Sequence, residues 1–267
     1  MASPLSTPDP WHAVSAAYAT DIVPMFNHYA THALDRVGVQ PGQQVLDVAC
    51  GPGTLAFLAA ARGARVTAVD FTEGMIDQLR QRLAQEPADI HPEVGDGQAL
   101  AHPAAAFDAA FSMFGLMFFP DRAQGFRELF RVLRPGGVVA LSSWRPMDQV
   151  PLMATLFGSL MRQLPPSPPF RPALSQPADY EAEMAAAGFE QVVVEGVTFH
   201  SEAPTTEAMW RSMERSNAVL VPIRAALGAE RWQAVWDGVL ADLRAAFGEG
   251  PLSLGMPALI ATARKPA

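Results

Sequence analysis

The chain has 267 residues, of which 49% are hydrophobic, 17% charged and 9% aromatic, a composition typical of a well-packed globular protein. It excludes collagen, coiled coils and disordered tails, and the length is near the upper limit for a single core, so we expect one large domain with an elaboration. The net charge of -8 at pH 7 repels polyanions, so neither nucleic acid nor an anionic membrane is predicted as a partner.

The single cysteine, Cys50, cannot form an internal disulfide, so the sequence bears no mark of an oxidising compartment and the cytoplasm is predicted. The most apolar stretch, residues 109–119, is too short to cross a bilayer, and no membrane span is predicted.

His28 and His32 lie four residues apart, but no Glu lies between them and no third ligand is in register. No metal site is therefore predicted.

In chain order, residues 11–38 predict one or two helices that end at Gly38. Residues 45–49 then form an apolar run that leads into a glycine turn at 51–53 and a helical stretch at 54–62. This alternation continues to residue 144. The further predicted strands are 65–69, 90–95, 107–112 and 137–144, and the further predicted helices are 73–85 and 121–134. Strands separated by helices of this length indicate right-handed crossovers and a parallel sheet covered on both faces.

The second half of the chain begins with a proline-rich segment, residues 147–177, in which no long regular element is predicted. The segments that follow are a helix at 179–187, a strand at 191–199, amphipathic helices at 205–220 and 231–247, and a strand at 254–263. The whole pattern predicts a doubly wound, mostly parallel, seven-stranded α/β sheet with N-terminal helices and a helical cap. The predicted organisation is leader and lid helices at 1–40, an α/β core at 41–146, a Pro-rich insertion at 147–178, and completion of the sheet at 179–267 with two cap helices within 200–250.

The glycine turn has two interpretations. Gly51, Gly53 and Ala56 satisfy the dinucleotide pattern G-x-G-x-x-A, and Asp70 lies 19 residues beyond Gly51, where a carboxylate would bind ribose hydroxyls. An NAD(P)-dependent oxidoreductase is therefore one hypothesis. Asp47 favours another, because a carboxylate four residues before the turn would repel a pyrophosphate but attract a ligand that carries a cation. S-adenosylmethionine carries such a cation in its amino group.

Several further motifs follow in order along the chain. They are 45–54 (VLDVACGPGT), 66–75 (VTAVDFTEGM), 95–100 (GDGQAL), 107–121 (FDAAFSMFGLMFFPD) and 132–137 (VLRPGG). Together they resemble the class I S-adenosylmethionine-dependent methyltransferases, in particular the branch that includes the quinone-biosynthesis methyltransferases. The resemblance covers about residues 11–145, with the final strand matched by pattern. It implies S-adenosylmethionine as cofactor and S-adenosylhomocysteine as product.

The resemblance also implies roles for individual residues. Asp47 would hold the amino group of the cofactor, Asp70 the two ribose hydroxyls and Asp96 the adenine amino group. Phe71 and Met75 would flank the adenine. The full set of implied cofactor-binding residues is Asp47, Ala49, Gly51, Gly53, Asp70, Phe71, Met75, Gly95, Asp96, Gly97, Gln98, Ser112 and Met113.

The sequence does not assign the residues that act on the methyl acceptor. Residues 114–119 (FGLMFF) replace polar residues that some relatives have after the fourth strand. Methyl transfer is an in-line displacement that requires alignment in a dry pocket. If a base is needed, His28 is favoured, with Tyr18, Tyr29 and His200 as the other candidates. The Met, Phe and Trp content of the predicted cap favours a small apolar or aromatic acceptor.

The methylated atom is left open, as is the choice between a monomer and a homodimer. Besides the NAD(P)-dependent oxidoreductase, a non-catalytic S-adenosylmethionine-binding module remains an alternative. Large apolar residues of the two late helices are predicted to pack in the core rather than contact a substrate. These are Met209, Trp210, Met213, Trp232 and Trp236.

Overall fold

The computed structural model describes residues 4–164 and 173–267, and its centre is a seven-stranded sheet of order β3-β2-β1-β4-β5-β7-β6. The strands are β1 (Gln44–Val48), β2 (Arg65–Asp70), β3 (Ile90–Val94), β4 (Phe107–Met113), β5 (Leu133–Trp144), β6 (Glu190–Ala203) and β7 (Leu252–Arg264). Strand β7 runs antiparallel to both β5 and β6, and the other neighbouring pairs are parallel. The predicted α/β fold is confirmed.

The helices of the described residues lie on both faces of the sheet and at one end of it. They are α1 (Asp9–Asp21), α2 (Val23–Val37), α3 (Thr54–Ala60), α4 (Glu73–Gln85), α5 (Arg122–Val132), α6 (Pro151–Gln163), α7 (Pro177–Ala186), α8 (Thr206–Ser216), α9 (Leu220–Leu227) and α10 (Ala229–Phe247). None of them is long and apolar enough to span a membrane.

Two apolar layers cover the sheet. On one face, Leu34 of α2 and Ile76 of α4 pack in one buried cluster with Phe111 of β4. On the other face, Phe126 of α5 and Tyr180 of α7 belong to a second cluster with the opposite side chains of the same strands. Because both faces are buried, the central strands are nearly continuous apolar runs, which explains why they could be recognised in the sequence.

The chain turns sharply where β1 and β4 end. Ala49, Gly51 and Gly53 all have positive φ angles (57°, 55° and 83°), and Gly53 is the N-cap of α3. A Cβ at Gly53 would lie 2.5 Å from the end of the Leu79 side chain of α4, and its positive φ disfavours any other residue there. Phe114, directly after β4, is also left-handed at φ 57°. These turns leave open space beside the carboxyl ends of the two strands.

A third apolar cluster forms the cap, in which α6, α8 and α10 pack against one another. Trp210 is fully buried, and Trp232 and Trp236 are buried beside it, so the prediction that these three residues pack in the core is confirmed. Met209 and Met213, which were predicted to pack in the same way, also line a cavity described below.

Two predictions about this region are wrong. Residues 147–177 contain the 13-residue helix α6, which Pro151 can begin because the first turn of a helix needs no N–H donor. The prolines at 165, 166, 168, 169 and 172, on which the prediction rested, lie outside the described residues. The cap also has three described helices within 200–250 rather than two. The helix predicted at 205–220 ends at Ser216, and α9 begins at Leu220.

Candidate cofactor and acceptor site

The first cavity, of about 190 Å³, lies at the carboxyl ends of β1, β2 and β4. Asp70 ends β2 and Phe71 follows it, and the loop after β3 contributes residues 95–98. Trp11 and Tyr18 of α1 cover the cavity from the opposite side. This is the edge at which open α/β sheets bind ligands, and we refer to the space as the nucleoside cavity.

Asp70 is fixed by backbone groups at the base of this cavity. It is 6% exposed, and its carboxylate accepts hydrogen bonds from the N–H groups of Gly51 and Thr72, each at 2.9 Å. Burial raises the pKa of Asp70, and the two backbone hydrogen bonds partly offset that rise. Each carboxylate oxygen keeps a further lone pair, so a pair of ribose hydroxyls can donate to it.

The loop after β3 is organised differently. Asp96 is exposed, and its carboxylate accepts hydrogen bonds from the backbone N–H of Gln98 at 2.8 Å and from the Gln98 side chain at 3.1 Å. A Cβ at Gly97 would lie 2.5 Å from the Phe119 ring and 2.6 Å from Val48. Because Asp96 is solvated and already hydrogen-bonded, we expect it to contribute less to ligand affinity than Asp70.

A second cavity, of about 40 Å³, lies beside the glycine turn and is lined by Asp47, Ala49 and Gly51 together with Tyr18. Asp47 is 1% exposed, and its Oδ2 atom has no hydrogen-bond partner among the described residues. Burial raises the pKa of Asp47 to about 8, the charge of Asp70 adds to the rise, and the N–H of Ala56 opposes it. A buried carboxylate oxygen without a partner, next to open space, suits a cationic ligand group.

A third cavity, of about 370 Å³, lies between α1, α2, α6 and α8, and we call it the acceptor cavity. Its lining is rich in aromatic residues and contains seven of the twelve methionines of the chain. These are Met25, Met117, Met147, Met153, Met209, Met213 and Met256. Tyr18 lines all three cavities, and Phe26 and Phe114 each line two of them. The three spaces therefore meet at this group of aromatic rings.

Ten of the thirteen predicted cofactor residues line the nucleoside cavity, and their roles toward a cofactor stay predictions. Those that line the nucleoside cavity are Ala49, Gly51, Asp70, Phe71, Met75, Gly95, Asp96, Gly97, Gln98 and Met113. Asp47 lines the small cavity instead. Two residues line none of the three cavities. Gly53 is the N-cap of α3, and Ser112 is fully buried near the end of β4, with no hydrogen bond to its hydroxyl among the described residues.

Three of the four candidate bases do not line any of these cavities, which corrects the prediction. His28 is exposed on α2, and its ring packs against Phe199 and Tyr29. Tyr29 is fully buried, its hydroxyl donates to the carbonyl of Met256, and burial raises its pKa to about 12. His200 is exposed on β6. The sequence predicted α2 but could not show which of its faces meets the sheet. Tyr18 alone of the four lines the cavities.

Several residues that no sequence motif indicated also cover the nucleoside cavity. Trp11 donates its indole N–H to the Leu5 carbonyl at 2.9 Å, and Ser6 donates to the Phe118 carbonyl at 3.2 Å. Leu5, Ser6, Trp11 and Phe118 all line the cavity. The Ser6–Phe118 hydrogen bond joins residues 112 positions apart in the chain, so no local pattern could have predicted it.

Comparison with known proteins agrees with the geometry. Residues 45–137 match the family model described as a methyltransferase domain. An uncharacterized protein of Mycobacterium tuberculosis is 36% identical over 138 residues, which are 52% of this chain and 47% of that protein. The malonyl-[acyl-carrier protein] O-methyltransferase of Serratia marcescens is 41% identical over 103 residues, 39% of each chain. The chain thus spans about half the length, or less, of the curated relatives that it matches.

Among solved structures, phosphoethanolamine N-methyltransferase 2 of Haemonchus contortus, in complex with phosphomonomethylethanolamine and S-adenosylhomocysteine, has a TM-score of 0.57. It is 21% identical and is matched over 90% of this chain and 52% of that one, which supports the fold alone. The α/β fold and the strand-end cavities agree with the match of residues 45–137 to a methyltransferase domain. Residues 45–137 are thus similar to a methyltransferase domain, and the activity of the whole chain is a proposal.

Proposed function

We propose that this chain transfers a methyl group from S-adenosylmethionine to a small apolar or aromatic acceptor. The observation that carries the proposal is the unpartnered, buried Oδ2 of Asp47 in a cavity that shares Tyr18, Ala49 and Gly51 with the nucleoside cavity. The amino group of S-adenosylmethionine would supply the cation that lets Asp47 ionise, whereas a pyrophosphate at this turn would disfavour its ionisation and give it no charge partner. The NAD(P)-dependent alternative is therefore disfavoured.

The residues present fit this cofactor along its length. Asp70 would hold the ribose hydroxyls, Phe71 and Met75 the adenine faces, and Asp47 the amino group. When bound, S-adenosylmethionine supplies an electrophilic methyl group on a sulfonium. Because Tyr18 lines all three cavities, the acceptor is expected to approach the cofactor at this residue.

The acceptor cavity supports an apolar substrate. Its methionines are flexible and polarisable, and its aromatic rings offer flat apolar surface, so the cavity can adapt to an acceptor of irregular shape. The same side chains exclude water from the point of transfer. The acceptor class, the cytoplasmic location, the absence of a nucleic-acid partner and a monomeric or homodimeric state are part of this proposal.

Tyr18 is the retained candidate for a direct contact with the reacting groups. Burial raises the pKa of its phenol and the Asp70 carboxylate raises it further, so the side chain stays neutral at physiological pH. Its hydroxyl forms no hydrogen bond within the described part of the chain. A neutral phenol at this position can donate a hydrogen bond to the acceptor but is a poor base.

The test is transfer of a radiolabelled methyl group from S-adenosylmethionine into a panel of phenols, quinols and amines. The proposal predicts labelled product with at least one apolar aromatic acceptor, and Asp70→Ala should abolish it. Binding of S-adenosylhomocysteine without transfer to any acceptor would instead indicate a non-catalytic binding module.

A further inference from the structure

The acceptor cavity contains few groups that could remove a proton. Its ionisable lining residues are Tyr18, Asp21, Arg145 and Glu202. None of the six histidines of the chain lines any of the three cavities. Residues 1–3 and 165–172, which the structure does not describe, are only Met, Ala, Ser, Pro, Phe and Arg in the sequence. No side chain of those segments is therefore a general base at neutral pH.

The two ionisable lining residues of helix α1 are unsuited to act as a base. Tyr18 is a neutral phenol, as described above. Asp21 accepts hydrogen bonds from Arg215 at 2.6 and 2.9 Å and from Ser212 at 2.9 Å. Burial alone would raise the pKa of Asp21, but these hydrogen bonds and the charge of Arg215 hold it below its ordinary value. A carboxylate held in this way accepts a further proton poorly.

The other two ionisable lining residues belong to the sheet, on β6 and directly after β5. Glu202 is exposed near the end of β6, where it pairs in register with Ser253. Arg145 is half-buried directly after β5 and donates to the neutral side chain of Gln149 at 3.2 Å.

The described residues offer Arg145 no ion-pair partner. Its Nη2 would lie 2.6 Å from a Cβ at Gly196, so the glycine allows the guanidinium to lie against β6. A guanidinium without an ion-pair partner, in a largely apolar cavity, attracts an anion.

We propose, resting on the methyltransferase function above, that the acceptor enters the cavity as a preformed oxyanion, such as a phenolate or enolate, and that the protein removes no proton. A lone pair of the oxyanion forms the new oxygen–carbon bond. The carbon–sulfur bond breaks, its electron pair goes to sulfur, and the sulfonium becomes a neutral thioether. Both opposite charges disappear in this step, which an apolar, water-excluding cavity favours.

The experiment uses the full chain with three phenols of graded acidity: 4-nitrophenol, 4-chlorophenol and 4-methylphenol. Below the pKa of each phenol, kcat/KM should rise about tenfold per pH unit, because the ionised fraction does so. The midpoint of the rise should move from one phenol to the next with the phenol's own pKa. A midpoint that is the same for all three phenols would show a base of the protein and would overturn the proposal.

Substitutions of the two charged lining residues of the sheet test the role of each charge. Glu202→Gln should leave the midpoint unchanged, and loss of the pH dependence in this variant would identify Glu202 as a base and overturn the proposal. Arg145→Gln should raise KM for the phenolates about tenfold with little change in kcat, because it removes a binding charge. The matched control is Arg231→Gln, an exposed arginine of α10 outside the cavity.

Other outcomes separate this inference from the proposed function. Methyl transfer to amines only would overturn the oxyanion proposal and leave the methyltransferase function standing. Transfer to none of the acceptors would overturn both.

Discussion

At the scale of single residues, the three strand-end carboxylates have different physical states, although the sequence presents them alike. Asp47 is buried with one oxygen unpartnered, Asp70 is buried and held by two backbone N–H groups, and Asp96 is exposed and caps its own loop. Their substitutions should therefore have different effects on stability and on cofactor binding.

Asp47 should lower the stability of the free protein as the pH rises. Its pKa is raised from 3.8 to about 8 in the fold, so between these values the folded state binds a proton that the unfolded state does not. The free energy of unfolding should therefore fall across this window, and the raised pKa of Asp70 acts in the same direction. Asp47→Asn should flatten this fall and raise stability at pH 8 by about 1–3 kcal/mol. Urea denaturation at a series of pH values measures it, and a variant less stable than the parent at pH 8 would contradict the assignment.

Asp70 should dominate the binding of the nucleoside. Asp70→Ala removes the buried acceptor of the ribose hydroxyls, and we expect S-adenosylhomocysteine to bind about 100-fold more weakly, a loss of about 2.7 kcal/mol. Isothermal titration calorimetry measures this loss. Asp89→Ala, an exposed carboxylate before β3, is the control and should leave affinity unchanged. Equal affinities of Asp70→Ala and the parent would show that the ribose is bound elsewhere.

Gly97 should tolerate no side chain. Its Cβ would lie within 2.6 Å of both Phe119 and Val48, so Gly97→Ala must displace the loop that carries Asp96 and Gln98. We expect a loss of about 1–3 kcal/mol in stability, together with weaker binding of S-adenosylhomocysteine. Thermal unfolding checks the first and calorimetry the second. Gly250→Ala, where nothing lies within 4 Å of the added Cβ, should behave as the parent, and a Gly97 variant that does the same would refute the close contact.

At the scale of elements, helix α1 covers both the nucleoside cavity and the acceptor cavity. It lies close to α4, where a Cβ at Gly74 would be 2.6 Å from His12, and it is tied to α8 by the Asp21–Arg215 pair. We therefore expect ligand entry into either cavity to depend on a displacement of α1.

The Asp21–Arg215 pair should act on the rate at which α1 opens. Arg215 is largely exposed, so Arg215→Gln should change stability by less than about 1 kcal/mol. It should nevertheless speed the dissociation of S-adenosylhomocysteine about threefold to tenfold, because one link between α1 and the cap is lost. Stopped-flow displacement measures the rate. Arg211→Gln, whose partner Glu207 lies on the same helix α8, is the control, and identical rates in the two variants would contradict a role in closure.

At the scale of the whole molecule, local patterns predicted what depends on nearby residues. The strand–glycine turn–helix at 45–60 and the alternation that follows it determine the sheet, and the carboxyl ends of parallel strands then bring Asp47 and Asp70 to one edge. The helix α6 was missed because prolines that follow it in the sequence outweighed its own apolar periodicity.

The acceptor side could not be predicted in the same way, because it is assembled from distant segments. Tyr29 was a candidate base, but its hydroxyl donates a hydrogen bond to the carbonyl of Met256, 227 residues away in the chain. Its side chain is therefore buried in the core. The acceptor cavity combines α1, α2, the loop after β4, α6 and α8, and no local pattern shows which faces of these elements point toward it. The orientation of helices depends on tertiary packing that local periodicity does not contain.

The central claim is that Asp47 and Asp70 together hold a sulfonium nucleoside rather than a dinucleotide. Calorimetric titration of the parent, Asp47→Ala and Asp70→Ala with S-adenosylhomocysteine and with NADH tests it most directly. The account predicts that the parent binds S-adenosylhomocysteine at one site and does not bind NADH, and that each substitution weakens this binding at least about tenfold. Tight binding of NADH, or undiminished binding of S-adenosylhomocysteine by both variants, would contradict it.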